Sequence, residues 1–358
     1  MLRFHWRLVQ GGEKQFMSRS LREERLETAL PDVESQAAFC RQAEDCGIDS
    51  VLVDLGFASP DPFVLAAALA SCTQNIKFIV AVRSGLISPT LLVQQINTFS
   101  TLYGDRISLN VVAGHSPEEQ RSYGDLLEHD ARYDRTREFL DVCRRFWRRE
   151  EVNFEGKYFR IEGGRLNTPF VSSQRQHPEI LIAGGSTVAR ALAVQHGDCW
   201  MRLADAPSSV AESIGPVLQA GREAGLRLSI VAAQTRAQAL DAAHALVEKT
   251  VSQKKISSTE HRFVSGSDSQ SIAAVFRSAE QEWLSGCLWT GAVRSLGAPA
   301  IALVGSHDEV ASALLEYSSV GITQFIVSGW PKLDSMVRFG EEILPRIRAR
   351  EHEALAHA

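Results

Sequence analysis

Residues 308–327 read DEVASALLEYSSVGITQFIV, and this stretch decides the fold. Its first part sets Val310, Ala313, Leu314, Tyr317 and Val320 on one face of a helix, at spacings of three and four. Gly321 follows, at the position where a glycine relieves the left-handed conformation that ends a helix. Gln324-Phe-Ile-Val327 comes next. A short continuous apolar run is how a parallel strand buried on both faces reads. The unit is therefore helix, glycine, buried strand.

The unit recurs upstream. Residues 33–46 carry Phe39, Ala43 and Cys46 at helical spacing, Gly47 ends the helix, and Ser50-Val-Leu-Val53 reads as a strand. Residues 187–196 end at Gly197, ahead of Cys199-Trp-Met201. Further strands are expected at Phe4–Leu8, Ile76–Val82, Ile107–Val112, Glu179–Ala183 and Leu226–Ala232. Ser116 with Pro117 and Glu119, and Ser306 with Glu309, each spell a capping box at a helix start. About eight strands alternating with helices mean either a closed (β/α)8 barrel or an open doubly wound sheet. The length of 358 residues suits a TIM barrel with insertions at its C-terminal face.

Two segments break the rhythm. Residues 152–161, VNFEGKYFRI, read as a hairpin turning at Glu155 and Gly156. Residues 250–290 are long, polar and poorly periodic, and are expected to form a mobile lid over the active-site face. No low-complexity linker divides the chain, so residues 1–358 are read as a single domain.

Composition narrows the function. The net charge of −5 speaks against sequence-independent nucleic-acid binding, which needs a basic stripe. Arg144, Arg145, Arg148 and Arg149 fall in a helix-like run with Glu150 and Glu151 and are read as a solvated face. No run approaches 18 apolar residues, so no membrane span is expected. The first residues, MLRFHWRL, carry interior charge and lack the apolar core of a secretory leader. Six cysteines without a C-x-x-C pair, most of them in apolar stretches, point to free buried thiols and a cytoplasmic location.

Four segments can carry chemistry. IAGGST, residues 182–187, lies between a strand and a helix. Gly184 and Gly185 allow a ligand to approach the backbone, and the helix N-terminus with Ser186 and Thr187 offers donors to a phosphate. A structural tight turn fits the same residues equally well. NVVAGH, residues 110–115, ends another strand, where barrel chemistry sits. Asn110 is polar within an apolar run and must find partners in neighbouring backbone or in a ligand ring. His115 reads as a loop residue or a site residue. His129, Arg132 and Tyr133 lie on adjacent helical turns. A metal site needs two or three ligands at such spacing, and one histidine does not supply them, so no metal is expected. Tyr133 is either a phosphate donor or a structural helix tyrosine. Lastly, Arg227 lies in the strand-like run LRLSIV, Arg294 closes the lid-like insertion, and Trp330 stands in Ser328-Gly-Trp-Pro331. A charge inside a strand is costly unless it faces a polar cavity with an anionic partner. Two arginines converging on one cavity would suit a sulfonate, carboxylate or phosphate, while two structural salt bridges remain the other reading. Neither a G-x-S-x-G elbow nor an H-E-x-x-H motif is present, so hydrolysis is not supported.

Taken in order, FIVAVRSGLISP (78–89), NVVAG (110–114), HDARY (129–133), AGGS (183–186) and FIVSGWP (325–331) resemble the alkanesulfonate monooxygenase branch of the bacterial-luciferase-like flavin-dependent monooxygenases. The hairpin at 152–161 and AIALVG, residues 300–305, fit the same pattern, so the resemblance covers nearly the whole chain. It implies a (β/α)8 barrel, reduced FMN delivered by a separate NAD(P)H:flavin reductase, dioxygen as co-substrate, and a homodimer or homotetramer. It implies Asn110 at the flavin ring, and Tyr133, Gly184, Gly185 and Ser186 at the phosphate, with His129 and Ser88 in the same motifs. Arg227 and Arg294 match arginines that the family directs to an anionic substrate and reduced flavin.

Four positions depart from the family. Its active-site cysteine falls at Ser59, its N-terminal histidine near Gln10, its strand histidine at Ser229 and its late tyrosine at Trp330. A serine in place of histidine removes a candidate acid or base, and a tryptophan in place of tyrosine trades a hydroxyl for an apolar plate. The expectation is therefore an oxygenase of a small, anionic organic molecule for which a simple alkanesulfonate is not the best substrate. The alternatives are a deazaflavin-dependent oxidoreductase and a flavin-binding partner subunit without chemistry.

Overall fold

The computed structural model describes residues 1–10, 32–56, 59–251 and 266–356. In chain order its strands are β1 (Arg3–Arg7), β2 (Ser50–Val53), β3 (Lys77–Val82), β4 (Ile107–Val111), β5 (Val152–Glu155), β6 (Arg160–Gly164), β7 (Glu179–Ala183), β8 (Cys199–Leu203), β9 (Glu223–Ala233), β10 (Trp283–Ser285), β11 (Leu288–Trp289), β12 (Ala302–Ser306) and β13 (Ile322–Gly329). Strands β1, β2, β3, β4, β7, β8, β9 and β13 pair in that order, every pairing is parallel, and β13 returns to β1. This is the closed (β/α)8 barrel. The eight strands expected from the apolar runs are the eight barrel strands, with ends that coincide or shift by up to three residues.

Side chains alternate across a strand, and the alternation sorts this barrel into layers. Residues such as Phe4, Trp6, Val51, Phe78, Val80, Ile180, Leu226, Leu228 and Phe325 point outward and join the helices in the main core. The opposite face of the strands supplies Leu52, Ile79, Leu181, Cys199, Met201 and Ile326, which fill the barrel's middle as a separate cluster. Towards the strand starts the interior turns polar. Gln324 accepts a hydrogen bond from His5 Nε2 through its amide oxygen at 3.1 Å, and its amide nitrogen donates to Glu179 at 3.1 Å and to Glu223. Arg3 ties the same two carboxylates together. Burial lowers the His5 pKa, so the neutral imidazole suits this plug. Towards the strand ends the inward positions are Arg7, Arg227 and Ser328, with Asp54 and Asn110 beside them.

Helix ends follow the sequence with three corrections. Gly47 (φ +72°) and Gly321 (φ +109°) take the expected left-handed conformation. Gly197 does not: its φ is −81°, and it is needed for room, because a Cβ there would lie 2.9 Å from the Ala193 carbonyl oxygen and 3.0 Å from Ile182. Ser306 and Glu309 form the complete capping box. Ser116 caps its helix through the Glu119 N–H, but the Glu119 carboxylate turns away to Arg83, 3.0 Å distant and equally buried, so that box is half made. Arg144 leaves the solvated face as well. It is half-buried and donates to the His196 carbonyl at 2.5 Å, while Arg145, Arg148 and Arg149 stay exposed.

Strands β5 and β6 form the expected hairpin. A long insertion separates β9 from the helix His307–Ser319 and carries helices Arg236–Val251, Gln270–Ser278 and Val293–Leu296 together with β10, β11 and β12. Of the lid expected at about 250–290, residues 252–265 lie outside the described residues. One edge of β9 is shared: β8 pairs with Glu223–Arg227 and β12 with Ser229–Ala233. The insertion is thus hydrogen-bonded in register onto a barrel strand. Among the described residues no helix is long and apolar enough to cross a membrane. All six cysteines are unpaired, and five of them are buried.

Candidate active site

A cavity of about 350 Å³ opens at the C-terminal ends of the barrel strands, the end where barrel enzymes carry their chemistry. Arg7, Asp54, Asn110, Arg202, Arg227, Trp330 and Lys332 line it. Arg227 is inward because LRLSIV alternates: Leu226, Leu228 and Ile230 pack outward, and Arg227 and Ser229 face the barrel axis. The guanidinium donates to the carbonyls of Leu228 (2.8 Å) and Ile326 (3.4 Å) and, through both Nη atoms, to the Ser328 hydroxyl at 3.2 Å. Ser229 donates to the Pro299 carbonyl at 2.9 Å, so at 3.1 Å it accepts the proton of Ser328. A relay therefore runs from Arg227 through Ser328 and Ser229 to the insertion. None of the Arg227 partners is a carboxylate. Burial, with the charge of Arg7 beside it, lowers its pKa to about 10.

The other charges are arranged around it. Arg7 holds Asp54 at 2.5 Å. Gln10 fixes the Asp54 main chain at both ends, donating to its carbonyl at 3.0 Å and accepting its N–H at 2.9 Å. Lys332 is buried at the start of helix Lys332–Arg338, and burial together with Arg7 holds its pKa well below the usual lysine range.

On the opposite wall Asn110 is buried and its Oδ1 has no hydrogen-bond partner. Such an atom in a cavity calls for a ligand donor. Beyond it lies the turn after β7. Gly184 adopts φ +142°, and a Cβ on it would sit 2.7 Å from the Tyr133 hydroxyl oxygen. Tyr133 is hydrogen-bonded to Ser186, and Ser186 caps helix Thr187–His196 by accepting the Ala189 N–H at 3.2 Å. Burial raises the Tyr133 pKa, which keeps the phenol a donor. The Gly185 N–H is taken by the hydroxyl of Ser271, 3.1 Å away on the insertion.

Several expected residues gather here and several do not. Asn110, Gly184, Arg227 and Trp330 line the cavity, and Tyr133, Gly185, Ser186 and Ser229 stand directly behind it. Ser88 caps helix Pro89–Tyr103 through the Leu91 N–H at 3.2 Å and is not among the lining residues. His129 stacks at 5.1 Å from the Tyr133 ring and turns its Nδ1 to Asp130. The Ser59 hydroxyl is buried without a partner and lies outside the lining. Arg294 lines a different cleft, with His244, Glu282 and Trp289, so the convergence of Arg227 and Arg294 on one cavity does not occur in this structure. The short helix Val293–Leu296 carries Arg294 into that cleft. Arg7, Asp54, Arg202, Lys332 and Ser271 were not anticipated. Arg7 carried a readable signal: Arg3, His5 and Arg7 alternate with apolar residues on one short strand. Among the described residues no group of three or more His, Cys, Asp or Glu could hold a metal.

Comparison with known proteins agrees with this fold. The sequence model of the luciferase-like monooxygenases matches residues 15–324. A riboflavin lyase structure with modified FMN and riboflavin superposes with a TM-score of 0.76 at 19% identity, over 98% of this chain and 92% of the other. EDTA monooxygenase from Chelativorans sp. BNC1 gives 0.75 at 22% identity, over 98% and 94%. An F420-dependent secondary alcohol dehydrogenase gives 0.67 at 17% identity, over 97% and 99%.

Proposed function

Because the chain belongs to the luciferase-like monooxygenase family, we propose that it uses reduced FMN and dioxygen to oxygenate a small organic anion. The observation that carries the anion is Arg227: a buried guanidinium in the cavity whose partners are carbonyls and a hydroxyl, with Arg7 beside it. A charged group so placed gains most from a ligand that supplies the missing negative charge.

The residues present fit a flavin. Asn110 offers an unpartnered acceptor to a ring N–H, and the turn at Gly184 leaves the space that a Cβ would close against Tyr133. Asn110 would hold the ring, and Tyr133, Gly184, Gly185 and Ser186 the phosphate, at the N-terminus of a ten-residue helix. When bound, reduced flavin supplies the electrons that activate dioxygen. The chain's own task is to orient the substrate anion at Arg227, to present Trp330 as an apolar wall and to keep water out.

Of the four departures from the alkanesulfonate pattern, Trp330 alone lines the cavity directly, while Gln10 and Ser229 act one residue behind it, through Asp54 and Ser328. This supports a substrate with a bulkier apolar part than a simple alkanesulfonate. A separate flavin reductase, an assembly of two or four copies and a cytoplasmic setting belong to the same reading, the last supported by six unpaired thiols. Reduced FMN, ¹⁸O₂ and a panel of sulfonates and carboxylates should give a product carrying one labelled oxygen by mass spectrometry. An unlabelled product would overturn the oxygenase reading. The likeness to F420-dependent enzymes supports deazaflavin hydride transfer as the second reading. Titration of both coenzymes separates the two.

A further inference from the structure

Two helix N-termini meet at one point of the cavity wall. One belongs to helix Thr187–His196, with Ser186 as its cap; the other belongs to helix Gln270–Ser278 of the insertion, capped by Ser269. They touch through the Gly185 N–H and the Ser271 hydroxyl, 3.1 Å apart. The approach is close enough that a Cβ on Gly185 would lie 2.8 Å from the Ser271 Cβ. Ser271 stands between the main cavity and a second chamber of about 230 Å³, and the second chamber is lined by Gly185, Arg202, Gln270 and Arg277 as well.

The contact is braced from the side. Asp268 pairs with the buried Arg132 at 2.5 Å, and its N–H donates to the His115 carbonyl at 3.1 Å. Arg132 in turn donates to the carbonyls of Ala113 and Leu127 at 3.0 and 2.8 Å. The nearby carboxylates are thus engaged, Asp268 by Arg132 and Asp205 by Arg202 at 3.4 Å. What remains is the positive end of two helix dipoles, Arg277 and hydroxyl groups. An independent sign of a ligand lies in the same cavity: Asn110 is 8% exposed and its Oδ1 is unpartnered.

We infer that the insertion helix Gln270–Ser278 is the second jaw of the phosphate site, with the Ser271 hydroxyl holding the place of a phosphate oxygen at the Gly185 N–H. The inference rests on the flavin reading above. When the phosphate enters, the Gly185 N–H passes to it, and the Ser271 hydroxyl turns from accepting that N–H to donating to the same phosphate. Cofactor binding then fastens the insertion to the barrel through the ligand itself.

FMN and riboflavin differ only in the phosphate, so the test compares them on the full-length protein. Dissociation constants are measured by quenching of protein fluorescence for the wild type, Ser271→Ala and Ser271→Asp. Loss of one hydrogen bond to a charged group should weaken FMN about tenfold in Ser271→Ala. Ser271→Asp, which puts a fixed anion in the jaw, should weaken it further. Riboflavin binding should be unchanged in both, which also reports that both variants are folded. In the wild type, inorganic phosphate should compete with FMN and not with riboflavin. An FMN-to-riboflavin ratio that neither substitution alters would overturn the second jaw and leave the flavin reading standing. A wild type that binds neither flavin would overturn both.

Discussion

Asp125 shows how one residue couples a loop to a helix in this barrel. Its buried carboxylate receives both Nη atoms of Arg135, at 2.9 and 2.6 Å. Gly85, in the loop after β3, leaves the space: a Cβ there would strike the Arg135 guanidinium. Burial pushes the Asp125 carboxyl up, but the hydrogen bonds and charge of Arg135 outweigh it and hold the group below the usual range. A carboxyl whose folded pKa is depressed contributes stability that is present above its unfolded pKa and lost as pH falls through the folded one. Asp125→Asn should therefore cost about 3 kcal/mol in urea unfolding at pH 7, since it strands a half-buried arginine beside a buried site. The gap between variant and wild type should narrow below about pH 4, near the unfolded carboxylate pKa. An equal gap at pH 7 and pH 3 would rule out the ion pair as its source.

At the scale of the element, the turn after β7 is the most constrained piece of the site. Gly184 combines a left-handed φ with a Tyr133 hydroxyl standing where a side chain would begin. Gly184→Ala should lose about tenfold in FMN affinity, because backbone strain of about 1–3 kcal/mol would be relieved by moving the turn. An alanine variant with wild-type FMN affinity would show that the turn does not hold the cofactor. Elements were also where the sequence was most readable. Buried parallel strands announce themselves as apolar runs, and β2, β7 and β13 lie within a residue or two of their expected positions. The strand β9 was legible down to its odd residue, Arg227, because alternation sends that position inward. The insertion resisted reading. Strand β12 pairs with β9 across a wide gap in sequence, and no local pattern encodes such a partner. Arg294 was assigned to the wrong cavity and Ser271 was missed for the same reason: which wall of which cavity a short helix faces is decided by tertiary packing. Glu119 was misassigned because a capping box and a buried ion pair with Arg83 compete for one carboxylate, and sequence spacing shows the first alone.

Across the whole molecule the barrel divides into ends with different duties. The layer of Arg3, His5, Glu179, Glu223 and Gln324 sits where barrels hold stability, and the cavity sits at the other end. Gln324→Leu leaves His5 without its hydrogen-bond partner and the two carboxylates to Arg3 alone, and should cost about 2–4 kcal/mol by denaturant unfolding. The Kd for FMN should be unchanged, since the middle layer of Leu52, Ile79, Leu181, Met201 and Ile326 separates the two ends. A parallel loss of flavin affinity would show that the ends are coupled. The stopper has one more consequence. Among the described residues, a barrel closed by charge at one end and filled with aliphatic side chains in its middle opens at the mouth beside Arg227 and Trp330. Under the proposed function, flavin and substrate would share that mouth, so the first to enter would lie deepest and the last to arrive would be the first to leave.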